Sequence, residues 1–326
     1  MAVLLTGTAG FIGFHTALAL LARGERVIGI DCVTDYYDVR LKEARLAQLE
    51  GRAGFTFHRV DIADRAAVAA VMAAHPEVTS IVHLAAQAGV RFSMIDPYAS
   101  VASTLMGHVV MLEAARGLRG IRHFVYASSS SVYGANRKMP FAETDRVDTP
   151  LSLYAATKRA DELMSHAYSH LYGIPQTGLR FFTVYGPWGR PDMAYFSFAE
   201  SIMAGRPITL YDDGALRRDF TYVDDIVGGI LGCLDRPPSS GEGARVLNIG
   251  NNRSEAVSTL VDLLEDSLGR KAIRVSAARP AADVLETWAD VEAIGALAGF
   301  SPSTPLSVGI PRFSSWFKGW REKTFI

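Results

Sequence analysis

Three side chains in this sequence have the types and spacing to move a proton to or from an alcohol: Ser129, Tyr154 and Lys158. Tyr154 and Lys158 lie one helical turn apart, so a helix there presents both on one face. A phenol with its ordinary pKa near ~10 is a poor base at neutral pH. An ammonium beside it favours the phenolate, which then exchanges a proton with a substrate hydroxyl. Ser129 stands at the end of an apolar run, where its hydroxyl can bond the same oxygen. A Tyr-x-x-x-Lys pair by itself is common on exposed helices. What gives this one meaning is its setting.

That setting begins at the N-terminal TGTAGFIG, with Gly7, Gly10 and Gly13 between a first apolar run and a first helical pattern. Glycines so spaced let the chain turn sharply, let backbone N–H groups approach a pyrophosphate and let helix pack close on strand. The positive end of the helix dipole then faces the phosphates. The spacing is GxxGxxG rather than GxGxxG, and a tight turn alone would also use glycine. Asp31 ends the second apolar run. A carboxylate there accepts hydrogen bonds from a ribose diol and repels a 2′-phosphate, which favours NAD over NADP. Asp61, followed by Ile62, ends the third run, where it either meets the adenine edge or closes a simple turn.

Elements must position these groups. Strand-like runs are expected at 3–6, 26–31, 56–61, 81–85, 123–128 and 176–183, and helical patterns at 11–23, 41–49, 65–74, 98–116 and 154–172. Strands alternating with helices imply an α/β fold with a parallel sheet covered on both faces. After residue 183 the pattern turns irregular: Pro and Gly crowd 186–191, and 212–214 and 237–243 read as loops. The expectation is a Rossmann-type, doubly wound NAD-binding domain over residues 1–182, with 221–235 returning to it, and a smaller substrate-binding lobe over most of 183–326.

Composition narrows the partners. Of 326 residues, 49% are apolar and 21% charged, and 33 basic residues against 34 acidic ones leave a net charge of -1. That balance gives no electrostatic reason to expect nucleic acid or an anionic membrane. The two cysteines, Cys32 and Cys233, are far apart and lack a metal-spaced Cys/His cluster, so free thiols and no metal are expected. The N-terminus lacks the basic leader and cleavage site of a signal peptide, and no apolar stretch is long enough to span a bilayer. The reading is a cytoplasmic protein. His83, inside an apolar strand, reads as a satisfied core histidine, and Trp188 either lines a pocket or packs its loop.

With GxxGFIG, SSSSVYG at 128–134 and YAATK at 154–158 in this order, the chain resembles the extended short-chain dehydrogenase/reductase family over essentially its whole length. The resemblance implies tightly held NAD, a Ser–Tyr–Lys catalytic set and a nucleotide-sugar substrate. It makes Phe11 and Ile12 of the glycine loop cofactor contacts as well. Finer motifs are similar to the UDP-glucuronate 4-epimerases: HLAAQAGVR at 83–91, DYYDVRLKEARL at 35–46, RFFTVYGPWGRPDMA at 180–194 and RRDFTYVDDI at 217–226. This likeness implies Leu84, Ala85 and Ala86 on the cofactor and Gln87, Arg91 and Ala194 on the substrate. It offers Ser130, Ser131, Thr183 and Arg190 to the sugar carboxylate. It puts Arg218 on the UDP phosphates, with Arg217 next to it, and Tyr211 on uracil. Asp283 and, one position out of place, Arg279 fall near the ribose and phosphate.

Thr104 departs from the family, which usually has an Asn that braces the active-site helix; a hydroxyl makes fewer hydrogen bonds than an amide. The helices at 98–116 and 154–172 are similar to those that pair into the family's homodimer interface. The implied reaction interconverts UDP-glucuronate and UDP-galacturonate through a 4-keto sugar. The alternatives are a UDP-glucose 4-epimerase, against which the 180–194 motif speaks, a UDP-glucuronate decarboxylase, and a non-catalytic NAD-sensing protein.

Overall fold

Runs such as AVLLT have no polar alternation, so they need apolar cover on both faces. A computed structural model, which describes residues 1–239, 241–279 and 284–324, gives them that cover. The first part of the chain alternates strand and helix: β1 (Ala2–Thr6), α1 (Phe11–Ala22), β2 (Arg26–Asp31), α2 (Val39–Leu49), β3 (Phe55–Arg59), α3 (Arg65–Ala74) and β4 (Ser80–His83). Next come α4 (Phe92–Ile95), α5 (Pro97–Val101), a π-helical segment (Ala102–Met106) and α6 (Gly107–Gly117). β5 (His123–Ser129), α7 (Leu153–Tyr172) and β6 (Gln176–Phe181) complete this part.

Shorter elements follow: β7 (Thr183–Tyr185), α8 (Ala194–Ala204), β8 (Pro207–Tyr211), β9 (Arg217–Arg218), β10 (Phe220–Tyr222), α9 (Val223–Leu234) and β11 (Ala244–Ile249). The chain ends through β12 (Glu255–Ala256), α10 (Val257–Leu268), β13 (Ile273–Ala277), α11 (Glu292–Ala298) and α12 (Leu306–Thr324).

The main sheet has seven strands in the order β3-β2-β1-β4-β5-β6-β11, every neighbouring pair parallel. Strand order reverses between β1 and β4, and it is outside the carboxyl ends of strands at such a reversal that a doubly wound sheet forms its crevice. Alternate residues of β1 enter opposite cores: Val3 and Leu5 pack on one face of the sheet, Ala2 and Leu4 on the other. Within 221–235, α9 packs on α1 and β5. It is followed by β11, which pairs with β6 from Ala244↔Gln176 onward. β11 thus belongs to the main sheet and not to the smaller lobe expected over most of 183–326.

Of the boundaries that differ from expectation, three have a clear local reason. The third strand ends at Arg59, and Asp61 turns the chain by accepting a hydrogen bond from Ala63 N at 2.9 Å. The run expected over 176–183 divides: β6 stops at Phe181, and β7 leaves the main sheet to pair with β10. The helix expected over 98–116 is interrupted by the π-helical segment.

Candidate active site

The glycine loop is forced to be glycine by its neighbours. Gly7 has φ 76°, and a Cβ there would lie 2.9 Å from Ala85 N. A Cβ on Gly13 would collide with the Gly7 carbonyl oxygen. Gly10 caps α1 without a side chain, which leaves the first-turn N–H groups facing outward as an anion site. In front of them lies a cleft of about 260 Å³ lined by Gly7, Gly10, Phe11, Ile12 and Gly13, by Asp31 and Ile62, and by Leu84, Ala85, Ala86 and Gln87. Asp31 is held by two backbone donors, Ala9 N at 3.0 Å and Val33 N at 2.8 Å, one on each oxygen. Each oxygen keeps a second lone pair for a ribose hydroxyl. Lys42 lines the same cleft, its Nζ donating to Thr34 O at 2.7 Å and Thr34 Oγ1 at 2.8 Å. Burial pushes the Lys42 pKa down, against the pull of the Asp31 charge.

Ser129, Tyr154 and Lys158 line this cleft as well. Ser129 ends β5, its Oγ donating to Ser131 Oγ at 3.0 Å. Tyr154 and Lys158 fall in the first turns of α7, a helix started by Ser152, whose side chain accepts from Ala155 N at 3.1 Å. Lys158 Nζ donates to Ala127 O at 2.9 Å and to Asp161 Oδ2 at 3.1 Å. A second, larger cleft of about 780 Å³ opens beside the first. Ser129, Tyr154 and Arg190 line both clefts. The larger one also takes Arg91, Ser130, Ser131, Thr183, Ala194, Tyr211 and Arg218 into its wall. Arg91 lies over the Tyr211 ring, 5.6 Å from its centroid. Arg190 is paired twice with Asp192, at 2.6 and 3.0 Å, and Tyr36 OH donates to the same carboxylate at 3.1 Å. Burial works against the Arg190 charge, but Asp192 more than offsets it and the pKa is raised. Burial and the Asp192 charge together push Tyr36 up to about 12. Asp192 occupies the Nε–Nη2 edge of this guanidinium, so the donors left for a ligand are on Nη1 and the second N–H of Nη2.

Residues 3–250 match the model of the NAD dependent epimerase/dehydratase family. The chain belongs to this family. A probable UDP-glucuronate 4-epimerase of Rhizobium meliloti is 46% identical over 333 residues, 97% of each chain. UDP-glucuronate 4-epimerase 3 of Arabidopsis thaliana is 46% identical over 331 residues, 98% of this chain and 76% of the plant protein. Among solved structures, UDP-glucuronic acid 4-epimerase from Bacillus cereus, in complex with UDP-glucuronic acid and NAD, is similar with a TM-score of 0.91 at 32% identity. That match covers 98% of this chain and 100% of the other.

Asp61 accepts from Ala63 N in a turn and stands between Val60 and Ile62, both of which line the cofactor cleft. Gln87, expected on the substrate, lines the cofactor cleft instead of the larger one. Arg218 faces the larger cleft; Arg217 points away and donates to Ser254 O at 2.5 Å. Arg279 pairs with Asp212 at 3.5 Å and lines neither cleft, and Asp283 lies outside the described residues. Trp188 packs its loop, its ring against Phe14 at 5.5 Å and Trp316 at 5.3 Å. His83 is 3% exposed and bonded to Thr6 Oγ1 at 2.8 Å, and burial pushes it down to about 3. Thr104 sits in the π-helical segment with its Oγ1 buried and unpartnered among the described residues. Sequence reasoning missed Lys42, Tyr36 and Arg45. All three fall in the 35–46 motif, which marked the segment but not their roles.

Proposed function

We propose that this epimerase interconverts UDP-glucuronate and UDP-galacturonate. The observation that carries this reading is the junction of the two clefts at Ser129 and Tyr154, with the hydroxyls of Ser130, Ser131 and Thr183 and the Arg190 guanidinium grouped around it on the larger side. A hydroxyl-rich wall with one fixed guanidinium suits a sugar carboxylate better than a neutral CH₂OH. Arg218 in the wall of the same cleft suits a diphosphate, and the Tyr211 ring a flat base.

The smaller cleft fits NAD. The open first turn of α1 suits the pyrophosphate, and Asp31 suits an adenosine ribose without a 2′-phosphate. When bound, the cofactor supplies a hydride acceptor that later becomes the donor, so no second substrate is consumed. Tyr154 removes the proton from the sugar 4-hydroxyl as C4 is oxidised, Ser129 bonds the same oxygen, and Lys158 stabilises the phenolate. The 4-keto sugar then turns in the larger cleft and presents its other face. Tyr154 returns the proton, leaving the 4-hydroxyl inverted. Binding energy concentrated on UDP leaves the sugar free to turn. The intermediate is a β-keto acid, which loses CO₂ when its carboxylate bond lies parallel to the carbonyl π system. Ser130, Ser131, Thr183 and Arg190 hold that carboxylate in another orientation. Dimerisation through α5, α6 and α7 completes the proposed enzyme.

The test is incubation of the purified protein with UDP-glucuronate and separation of the nucleotide sugars. UDP-galacturonate is the expected product. A UDP-pentose as main product would make the protein a decarboxylase, and no turnover of any UDP-sugar would favour a non-catalytic role.

A further inference from the structure

Behind the catalytic pair lies a carboxylate that the epimerisation scheme does not use. Asp161 is one turn beyond Lys158 on α7 and fully buried. Its Oδ2 accepts from Lys158 Nζ at 3.1 Å, with side-chain exposures of 3% for the lysine and 1% for the aspartate. Its Oδ1 is buried with no hydrogen-bond partner among the described residues. A buried carboxylate normally collects several donors. This one relies on the ammonium.

The other ionisable groups around it are neutral or already satisfied. Glu162, next on α7, is locked to Arg180 at 2.8 and 2.9 Å and to Arg159 at 3.0 Å. His108, from α6, bonds Ser165 Oγ at 2.8 Å, and burial holds its pKa well below the ordinary value. Tyr126, from β5, has a phenol that burial pushes upward, and His83, from β4, is likewise kept neutral by burial. The charge facing Lys158 from inside the protein is therefore that of Asp161.

We propose that Asp161 is a positioning residue for Lys158: its carboxylate anchors the ammonium from behind and tempers the positive charge presented to the Tyr154 phenol. The proposal rests on the Tyr154–Lys158 reading given above. Lys158 holds two acceptors, the Ala127 carbonyl and Asp161, so its position is set from the protein side. Burial pushes Asp161 up to about 6, opposed by Lys158. Above that pH the carboxylate is ionised and opposes phenolate formation; below it the opposition fades. Removing one negative charge lowers the pH at which the coupled Lys158–Tyr154 pair gives up its first proton, whichever member releases it.

Asp161→Asn keeps the shape and an acceptor oxygen toward Nζ but removes the charge. In the holoenzyme the acid limb of the kcat/KM profile is expected to move ~0.5–1 pH unit lower, with the UDP-sugar KM changed less than about threefold. Absorbance titration of tyrosinate, taken as the difference from the same protein carrying Tyr154→Phe, should move equally and does not depend on turnover. Asp161→Ser, smaller and also uncharged, should reproduce the shift if the Asn variant folds poorly. A uniform loss of rate with both curves in the wild-type position would overturn the proposal, since it leaves Asp161 only a packing role. If wild-type enzyme does not act on UDP-glucuronate, the substrate reading fails while the tyrosinate titration still decides the role of Asp161.

Discussion

At the scale of single residues, the proposed chemistry starts from two groups whose chain spacing puts them on one helix face. Tyr154 and Lys158 share a face because α7 runs unbroken from Leu153 to Tyr172, and Ser129, the last residue of β5, lines the same cleft. Tyr154→Phe removes the proton acceptor while keeping the ring. Turnover of UDP-glucuronate is expected to fall about 100- to 10,000-fold, the usual worth of a positioned general base. NAD binding, followed by protein fluorescence, should change little. Retention of more than a tenth of the wild-type rate would remove Tyr154 from the mechanism. The same scale shows where reading from sequence stops. Asp31 and Asp61 look alike in the chain, each following an apolar run. The structure separates them: Asp31 is the last residue of β2, whereas β3 stops at Arg59 and Asp61 follows it in a turn. Gly7, Gly10 and Gly13 were legible because a glycine loop between strand and helix has few other uses. Lys42 was not, because its place in the cleft depends on how α2 packs.

At the scale of elements, alternation of strand and helix up to β6 was legible from periodicity. The interruption of the 98–116 helix by a π-helical turn was not, since one inserted residue leaves the apolar pattern nearly intact. Nor was the clamp that joins the two clefts. Arg45 of α2 is fully buried and donates to Trp188 O at 3.0 and 2.7 Å, Gly189 O at 3.0 Å, Ala9 O at 2.8 Å and Tyr37 OH at 2.7 Å. One side chain thus ties the glycine loop to the turn carrying Arg190. Trp188 there adopts φ 60°, which places its carbonyl on the guanidinium. A side chain contacting residues more than a hundred positions away leaves no local trace in the sequence. Arg45→Met keeps the length and removes every donor, stranding buried carbonyls at a cost of ~3 kcal/mol or more. A Tm several degrees lower is expected by calorimetry, with weaker UDP-glucuronate binding by titration. Arg45→Lys, lacking the fork, should recover only part of either. Unchanged substrate affinity in a destabilised Arg45→Met protein would separate the clamp from the site.

At the scale of the whole molecule, α7 is built inside out. Its buried side carries Thr157, Lys158, Asp161, Glu162, Ser165 and Ser169, each hydrogen-bonded inside the protein. Its outer side carries Leu163 at 55% exposure and Leu171 at 65%. The neighbouring helices add Ile95 at 79% and Tyr98 at 85%. A monomer rarely leaves so many large apolar side chains in water on adjacent helices. Two copies laid face to face would cover them, and a symmetric pair needs only one self-complementary patch. Leu163 and Leu171, two turns apart on the outer face, are where charge should break such a pair. Wild-type protein is expected to scatter light as two chains at micromolar concentration. Leu163→Glu combined with Leu171→Glu should scatter as one. Both sites are already exposed, so the single chain should keep its circular dichroism and lose only the part of its Tm that association supplies. Because the catalytic pair occupies the first turns of this same helix, separation of the chains should also lower kcat through looser positioning of Tyr154 and Lys158. A wild-type protein already monomeric at that concentration would leave the apolar face unexplained and remove the link between assembly and rate.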